Sequence, residues 1–393
     1  MKLPVNSIKK FCKCNTDIED IVNIVSTKIG AIEEVIELSV MYEGVYVTQI
    51  ISKKEHPNAD KLGIYQIALD KEENIQVVAG DKKLNVGDKV AYIKPGYIVP
   101  STFNTLEPLK IKTLKVRGVL SNGMLCSERE LNIGPDGDRV LVLDSEAPVG
   151  VSFADYYELN DIVIDIENKA LTNRGDLFGI IGLAREISAA QGLPFSSPQW
   201  YTEDTLLYKT EKELLPLEVK NQSANLCPRY VCVSMRNVHV SNSPVWLKSL
   251  LIRAGIKPVN NIVDITNYLA LLTGQPLHAF DYDKVVKRDP GSNGEANIVV
   301  RLAKDGEKIH TLDGDIIQLS SSNLVIADST NPIALGGVIG GMDTQIDMNT
   351  KNIIIESACF DRYIIRKTSM EHGLFTEAVT RYTKGQSPEL SLS

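Results

Sequence analysis

Apolar and polar positions change rhythm several times along the chain, and each change marks an element. In "NTDIEDIVNIVSTKIG" the apolar residues follow a helical period, Thr16 and Glu19 stand at capping-box spacing, and Gly30 follows as a stop, which predicts a short amphipathic helix. From Tyr42 to Asp144 the pattern shifts to short β-rich runs: "GVYVTQII", "KLGIYQIALD", "IQVVAG", "KVAYIKPG", "TLKVRG" and "RVLVL". Gly, Pro and Asn break them at even spacing, which predicts a small barrel of about five principal strands, the size of an oligonucleotide-binding fold. A helical pattern returns in "GDLFGIIGLAREISAAQGLP", with Asp176 placed to cap its start and Gly192 and Pro194 to end it. The stretch "PFSSPQWYTEDT" has no period and reads as a linker. Beyond Leu214 strands such as "RYVCVSMRNV" alternate with the helix "NSPVWLKSLLIRAG", for which Ser243 is the predicted N-cap, Pro244 the first helical residue and Gly255 the stop. The remainder is β-rich, with "NIVVRLA", "NLVIAD", "IALGGVIGG" and "NIIIESACF" in sequence, and "KRDPGSNGEAN" reads as a solvent loop. The second half is thus an α+β arrangement, and the chain shows no internal repeat.

Composition narrows the class. A chain of 393 residues, 43% of them hydrophobic, holds two or three ordinary domains. No apolar stretch approaches a membrane span and "MKLPVNSIKKF" lacks the apolar core of a signal peptide, so the reading is a cytoplasmic protein with no membrane partner. The cysteines (Cys12, Cys14, Cys126, Cys227, Cys232, Cys359) form no CxxC pair, which favours buried free thiols over a metal site. A formal charge of −8 argues against a generic nucleic-acid binder. Charge is uneven, however: Ile50 to Arg117 holds 12 Lys/Arg against 8 Asp/Glu, a local excess able to attract phosphates.

Four stretches could carry chemistry. "HPNADKL", starting at His56, reads as a turn entering a strand. "PLKIKTLKVRG" places Lys110 and Lys112 on one face of a strand with Ile111 and Thr113 on the other; that face is either simply solvated or tracks a nucleic-acid backbone. "ALGGVIGG" lacks the GK[ST] of a phosphate loop, so its glycines mark tight turns or close approach of a ligand, and both meanings fit Gly340. In "NIIIESACF" a strand puts Ile354, Glu356 and Ala358 on one face, and a carboxylate so placed should lie at an edge or be paired. Glu356 either accepts a substrate hydroxyl or bonds to a neighbour. His278 in "GQPLHAFD", read alone, is a turn histidine. No serine or cysteine triad, paired-carboxylate site or dinucleotide fold is present in the pattern.

In chain order, "HPNADKL", "KVRGVLSNGMLCSE", "TNRGDLFGIIGLARE", "CPRY", "VDITNY", "GQPLHAFD", "IESACF" and "HGLFTEAVTRYTKG" resemble the bacterial phenylalanyl-tRNA synthetase beta chain, N-terminal portion, from Lys2 to Gly385. The resemblance implies a multidomain α+β protein: a tRNA-binding OB-fold barrel at 41–155, inserted in a small discontinuous α+β domain formed by 1–40 and 156–198, then a linker at 199–215, a larger α+β editing domain of B3/B4 type at 216–385, and a tail at 386–393. In that family the editing domain hydrolyses tRNA(Phe) mischarged with tyrosine, which answers a physical problem: an apolar pocket rejects an added hydroxyl only weakly. Carried over by motif, Glu356 would accept the tyrosine hydroxyl, while His278 and Asn267 would position water and ester. Thr266 would line the same wall, Gly337 and Gly340 would admit the aminoacyl group, Thr376 would contact the pocket and Ala378 keep its floor open. Lys82, Lys83, Lys110, Lys112, Lys115 and Arg117 would face tRNA.

The resemblance places no cofactor or metal in this stretch. ATP and magnesium belong to the holoenzyme, a heterotetramer of two alpha and two beta chains in which amino-acid activation lies on the alpha chain. A full beta chain continues well past the position of Ser393, so the expectation is an N-terminal fragment unable to activate phenylalanine. The chain departs from the family's "TPNRADCLG" at Thr172 and Gly175, and from its "GAPN" in the barrel loop, here "GDKK" from Gly80 to Lys83. The competing reading is a non-enzymatic tRNA-binding or subunit-assembly module with a vestigial pocket.

Overall fold

The structure is a computed structural model and describes residues 1–12, 17–70, 74–202 and 214–392. Strand β1 (Lys2–Pro4) leads into helices α1 (Val5–Lys9) and α2 (Ile18–Ile24), and β2 (Ile32–Glu37) follows. Thr16 and Cys14 lie outside the described residues; α2 opens after an extended Asp17, and its coil widens to a π turn before Gly30.

The barrel comes next: β3 (Val45–Glu55), β4 (Gly63–Ala68), β5 (Asn74–Ala79), β6 (Lys89–Ile93), β7 (Leu114–Val116), β8 (Val119–Ser121) and β9 (Met124–Leu125). Five of these form one antiparallel sheet in the order β5-β4-β3-β6-β9. Strand β4 alternates buried and half-buried residues along its whole length, the period of a strand with one face on a core. A register shift between Ile50 and Ser52 bends β3, which lets one long strand pair with β4 at one end and β6 at the other. The predicted strand "RVLVL" contributes only the single bridges Ser127–Val140 and Val90–Val142, because its neighbours' edges are already occupied by β3 and β9. The sheet is nearly closed around Ile50, Tyr65, Ile67 and Val77.

After α3 (Phe153–Tyr156) the chain returns to the first sheet: β10 (Ile162–Ile166) inserts between β1 and β2, pairing Leu3 with Ile164 and Val163 with Ile36. The barrel is therefore threaded between two strands of a smaller α+β unit. Helix α4 (Ile180–Ala190) begins three residues later than predicted. Asp176 does not cap it; its carboxylate receives Arg174 and Arg185, while Gly175–Phe178 form a 3-10 turn. Gly179 sets the break, since a Cβ there would lie 2.4 Å from the Gly274 nitrogen. A short α5 (Gln199–Thr202) stands inside "PFSSPQWYTEDT", where the sequence pattern predicts a structureless linker, and most of the 199–215 span implied by the resemblance falls at 203–213, outside the described residues.

The second half holds β11 (Leu217–Asn221), β12 (Arg229–Met235), α6 (Val245–Arg253), α7 (Asn261–Thr273), β13 (Leu277–Asp281), α8 (Tyr282–Arg288), β14 (Ala296–Leu302), β15 (Lys308–His310), β16 (Ile316–Gln318), β17 (Leu324–Ala327), β18 (Pro332–Leu335), β19 (Ile339–Gly340), β20 (Ile353–Cys359), α9 (Arg362–His372) and α10 (Glu377–Tyr382). Two sheets, β11-β14-β17-β18-β19 and β12-β20-β13, enclose one apolar core that includes Phe280, Ile298, Ile326 and Phe360. Ser243 does not cap α6. Pro244 takes that place, and the Ser243 hydroxyl donates instead to Asp264 Oδ2 at 2.5 Å, a bond that a buried carboxylate on α7 needs more than the helix end does.

Candidate active site

The site is built on α7 and β13, the two elements joined by "GQPLHAFD". Asn260 caps α7 by accepting from the backbone N–H groups of Ile262 and Val263, and Gly274, at φ +84°, ends it in the left-handed conformation. That tight ending turns the chain directly into β13, so His278 stands on a strand rather than in a turn. On the inner face of α7 the Thr266 hydroxyl donates to the Val263 carbonyl at 2.7 Å and so serves as wall. The Asn267 carboxamide has no hydrogen-bond partner among the described residues and lines the cavity beside it.

Strand β20 lies between β12 and β13, and its register sets Glu356 directly opposite both Cys232 and His278. Glu356 is thus neither at an edge nor in an ion pair. It is 6% exposed, and its one hydrogen bond comes from the Tyr230 hydroxyl to Oε2, at 2.7 Å. Burial pushes its carboxyl up to about 7, against the pull of that phenol. Burial likewise lowers the His278 imidazole to about 4, so the ring is neutral at physiological pH. The ring packs edge-on against Phe280 with centroids 4.5 Å apart.

These groups open into a cavity of about 480 Å³, walled by Val263, Leu277, Leu312, Ile339 and Ile346 with Asp313 and Glu377 among its polar residues. A largely apolar enclosure with a few convergent polar groups is the usual form of a small-molecule site. All eight pocket residues expected from sequence, Thr266, Asn267, His278, Gly337, Gly340, Glu356, Thr376 and Ala378, line this one cavity. Their parts differ. A Cβ at Gly340 would lie 2.7 Å from His278 Cε1, so glycine there keeps the imidazole in place. Gly337 is fixed by its turn, at φ +67°, and by Ile365 and Phe360, which fill the space a Cβ would need. The Thr376 hydroxyl donates to the Val338 carbonyl at 2.7 Å and accepts from Val379 N–H, tying α10 to the β18–β19 turn. Both threonine hydroxyls are therefore committed to the backbone. Tyr230 escaped the sequence reading as a site residue: "CPRY" was visible, but its register against a strand 126 positions away was not.

The basic residues gather elsewhere. Lys110 and Lys112 are exposed on either side of buried Ile111, but the expected strand is reduced to one Ile98–Lys110 bridge, Thr113 is also exposed, and regular pairing starts only at Leu114. Lys115 lies on β7, and Arg117 (φ +45°) with Gly118 (φ +92°) forms the two-residue turn into β8. The "HPNADKL" turn collects these parts. His56 Nδ1 accepts from Asn58 N–H, which leaves the Nε2 proton for the Val116 carbonyl at 3.0 Å, and Asn58 Nδ2 donates to the Arg117 carbonyl. On the other side, Lys82 Nζ reaches the Asp60 carbonyl and Glu55, while Lys83 is exposed. Of the six expected tRNA contacts, Lys82 is thus engaged within the protein.

Among the described residues no cluster of His, Cys, Asp or Glu is arranged to hold a metal ion, and no helix is long and apolar enough to cross a membrane. The described cysteines are free thiols, all buried except half-buried Cys232.

Residues 45–152 match the putative tRNA binding domain family and residues 226–393 the B3/4 domain family. Barrel, cavity and these matches define a multidomain α+β protein that joins a tRNA-binding-type domain to a B3/4 domain. Over nearly its whole length the chain is a homologue of phenylalanine–tRNA ligase beta subunits. It is 37% identical over 390 residues to that of Fusobacterium nucleatum (99% of this chain, 46% of the relative). It is 38% identical to those of Desulfotalea psychrophila (99% and 45%) and Protochlamydia amoebophila (100% and 47%). The chain spans about half the length of these relatives.

Proposed function

We propose that this chain supplies the tRNA-binding and editing modules of a phenylalanine–tRNA ligase beta subunit, and that its cavity hydrolyses tyrosine wrongly esterified to tRNA(Phe). The observation that carries the reading is the Glu356–His278 pair, set across adjacent strands in an apolar cavity with one carboxylate oxygen, Oε1, free of any protein partner among the described residues. A phenylalanine ring gains nothing from a free acceptor at that depth. A tyrosine ring satisfies it with its hydroxyl, which also relieves the cost of leaving the carboxylate unpaired.

The chemistry follows from what the cavity offers. With both threonine hydroxyls donated to backbone carbonyls, neither is free to act as a nucleophile; water attacks the ester carbonyl, and the terminal hydroxyl of the tRNA leaves with one of its protons. Neutral His278 accepts a hydrogen bond from that water, and the Asn267 amide donates to the ester carbonyl. The barrel's exposed Lys83, Lys110, Lys112, Lys115 and Arg117 hold the nucleic acid. In the complete enzyme, ATP, magnesium and the alpha chain serve aminoacylation in the cytoplasm, and no step proposed for this cavity uses them.

Deacylation of Tyr-tRNA(Phe) and Phe-tRNA(Phe) by the chain is the direct test. The expected result is rapid release of tyrosine, slow release of phenylalanine, and loss of the tyrosine rate in Glu356→Ala. Equal rates with both substrates would sink the reading, and release of neither above the uncatalysed rate would leave the non-enzymatic tRNA-binding module in its place.

A further inference from the structure

We propose that Tyr230 is a positioning residue for this site: its phenol holds Oε2 of Glu356 and leaves Oε1 as the acceptor turned to the ligand, so that the cavity distinguishes a phenol from a phenyl ring. The inference rests on the editing reading and deepens it, since "CPRY" entered the sequence comparison only as a marker.

Register explains the contact. On β12, Tyr230 and Cys232 share a face; Cys232 is opposite Glu356 and Tyr230 opposite Ala358, the diagonal position from which a long side chain reaches back to the carboxylate. The phenol is held there by packing. Its ring lies 6.5 Å from Phe360, which stacks edge-on with Tyr382 at 5.0 Å, and the Tyr382 hydroxyl is in turn fixed on the Pro276 carbonyl. Burial drives the Tyr230 phenol far above its ordinary range, so it keeps its proton and acts only as donor to an ionised Glu356.

Nothing else favours the ionised form. The groups facing Glu356 are Tyr230 and Cys232 from β12, Cys227 from the turn ahead of it, His278 from β13 and Tyr382 from α10. All are neutral near pH 7, and Asp313 and Glu377 on the cavity lining are acidic. A carboxylate whose single supporting hydrogen bond is removed takes up a proton at higher pH, and its free oxygen then swings without a fixed aim.

Tyr230→Phe keeps the ring and its packing on Phe360 while removing the hydroxyl. Two measurements on the intact chain separate the possibilities. A carbon-13 titration of the Glu356 carboxyl, assigned with Glu356→Gln, reads the hydrogen bond without tRNA; its midpoint should move to higher pH in Tyr230→Phe. Deacylation across pH reads the consequence: near neutrality the Tyr-tRNA(Phe) rate should fall roughly tenfold, the scale of a hydrogen bond to a charged group. It should recover as pH is raised, and the Phe-tRNA(Phe) rate should stay unchanged. Identical carboxyl titrations in the two proteins would overturn the proposal, as would equal losses with both substrates at every pH, the signature of a merely structural tyrosine. Failure of the wild-type chain to deacylate Tyr-tRNA(Phe) would overturn the editing reading instead, and a shifted titration would identify that outcome as distinct.

Discussion

Glu356 concentrates the energetic conflict of the molecule in one residue. Burial in a central strand raises its carboxyl from the ordinary range to about 7, with Tyr230 opposing the shift, so the folded protein binds a proton that the unfolded chain has already lost. The sign follows. Below pH 4.5 the group is protonated in both states and costs nothing; as pH rises from 4.5 to about 7 the unfolded state gains, and folding stability falls. Glu356→Gln, nearly the same shape with no charge, should therefore be more stable than wild type by an amount that grows across that window to on the order of 3 kcal/mol. Chemical denaturation at several pH values measures it, and a stability difference independent of pH would refute the account. His278 runs the other way: its imidazole, lowered to about 4, costs stability as pH falls below 6.5, so Glu356→Gln and wild type must be compared at each pH rather than across pH.

At the scale of elements, the barrel's basic edge depends on a turn that sequence made look merely structural. His56 and Asn58 hold the carbonyls of Val116 and Arg117, which fixes the β7–β8 hairpin beside the exposed Lys110 and Lys112. Lys110→Ala with Lys112→Ala should weaken tRNA binding and reduce the steepness of its salt dependence by about 1.4 to 1.8 in log–log slope, since each phosphate contact contributes ~0.7 to 0.9. Filter binding over a range of salt concentrations decides it; an unchanged slope means these lysines are only solvated. The same stretch shows what sequence could and could not reveal. Alternation set Ile111 on the face opposite Lys110 and Lys112, and it is buried there, because period 2 needs only local geometry. It did not reveal that Thr113 is exposed or that pairing begins at Leu114, because that depends on which edge the barrel leaves open. Likewise Gly255 announced a helix end, whereas Asp176 and Ser243, good caps by type, were taken by Arg174 and Asp264 from outside the helix. Glu356 was legible as an anomaly in an apolar strand; its phenolic partner was not, since register between distant strands has no local signature.

Across the whole molecule, α6 and α7 belong in sequence to the second half but pack with the first. Val245 joins the apolar cluster beneath the barrel, Leu250, Leu271 and Leu272 join that of the small α+β unit, and Gly179 lies against the Thr273–Gly274 end of α7. The wall that carries Thr266 and Asn267 is thus braced by the units that precede it in the chain. Two buried ion pairs fasten the brace: Lys248 with Glu128 at 2.5 Å, and Arg253 with Asp161 at 2.7 Å. Glu128 closes the "GMLCSE" motif on the barrel, so the first pair joins barrel to α6. Buried pairs add little over an apolar replacement but are expensive to break, because the remaining charge keeps its desolvation cost. Lys248→Met should therefore cost roughly 3 to 5 kcal/mol, while Lys248→Met with Glu128→Leu should recover most of that loss. A double-mutant cycle on the first unfolding transition measures the coupling, and costs that simply add would show that the two side chains do not act as a pair. The functional corollary is directional. If the pair braces the α7 wall, Lys248→Met should slow Tyr-tRNA(Phe) deacylation at temperatures where the protein is still folded, and the double variant should restore the rate. A stability loss that leaves deacylation untouched would show that the junction holds the domains together without shaping the cavity.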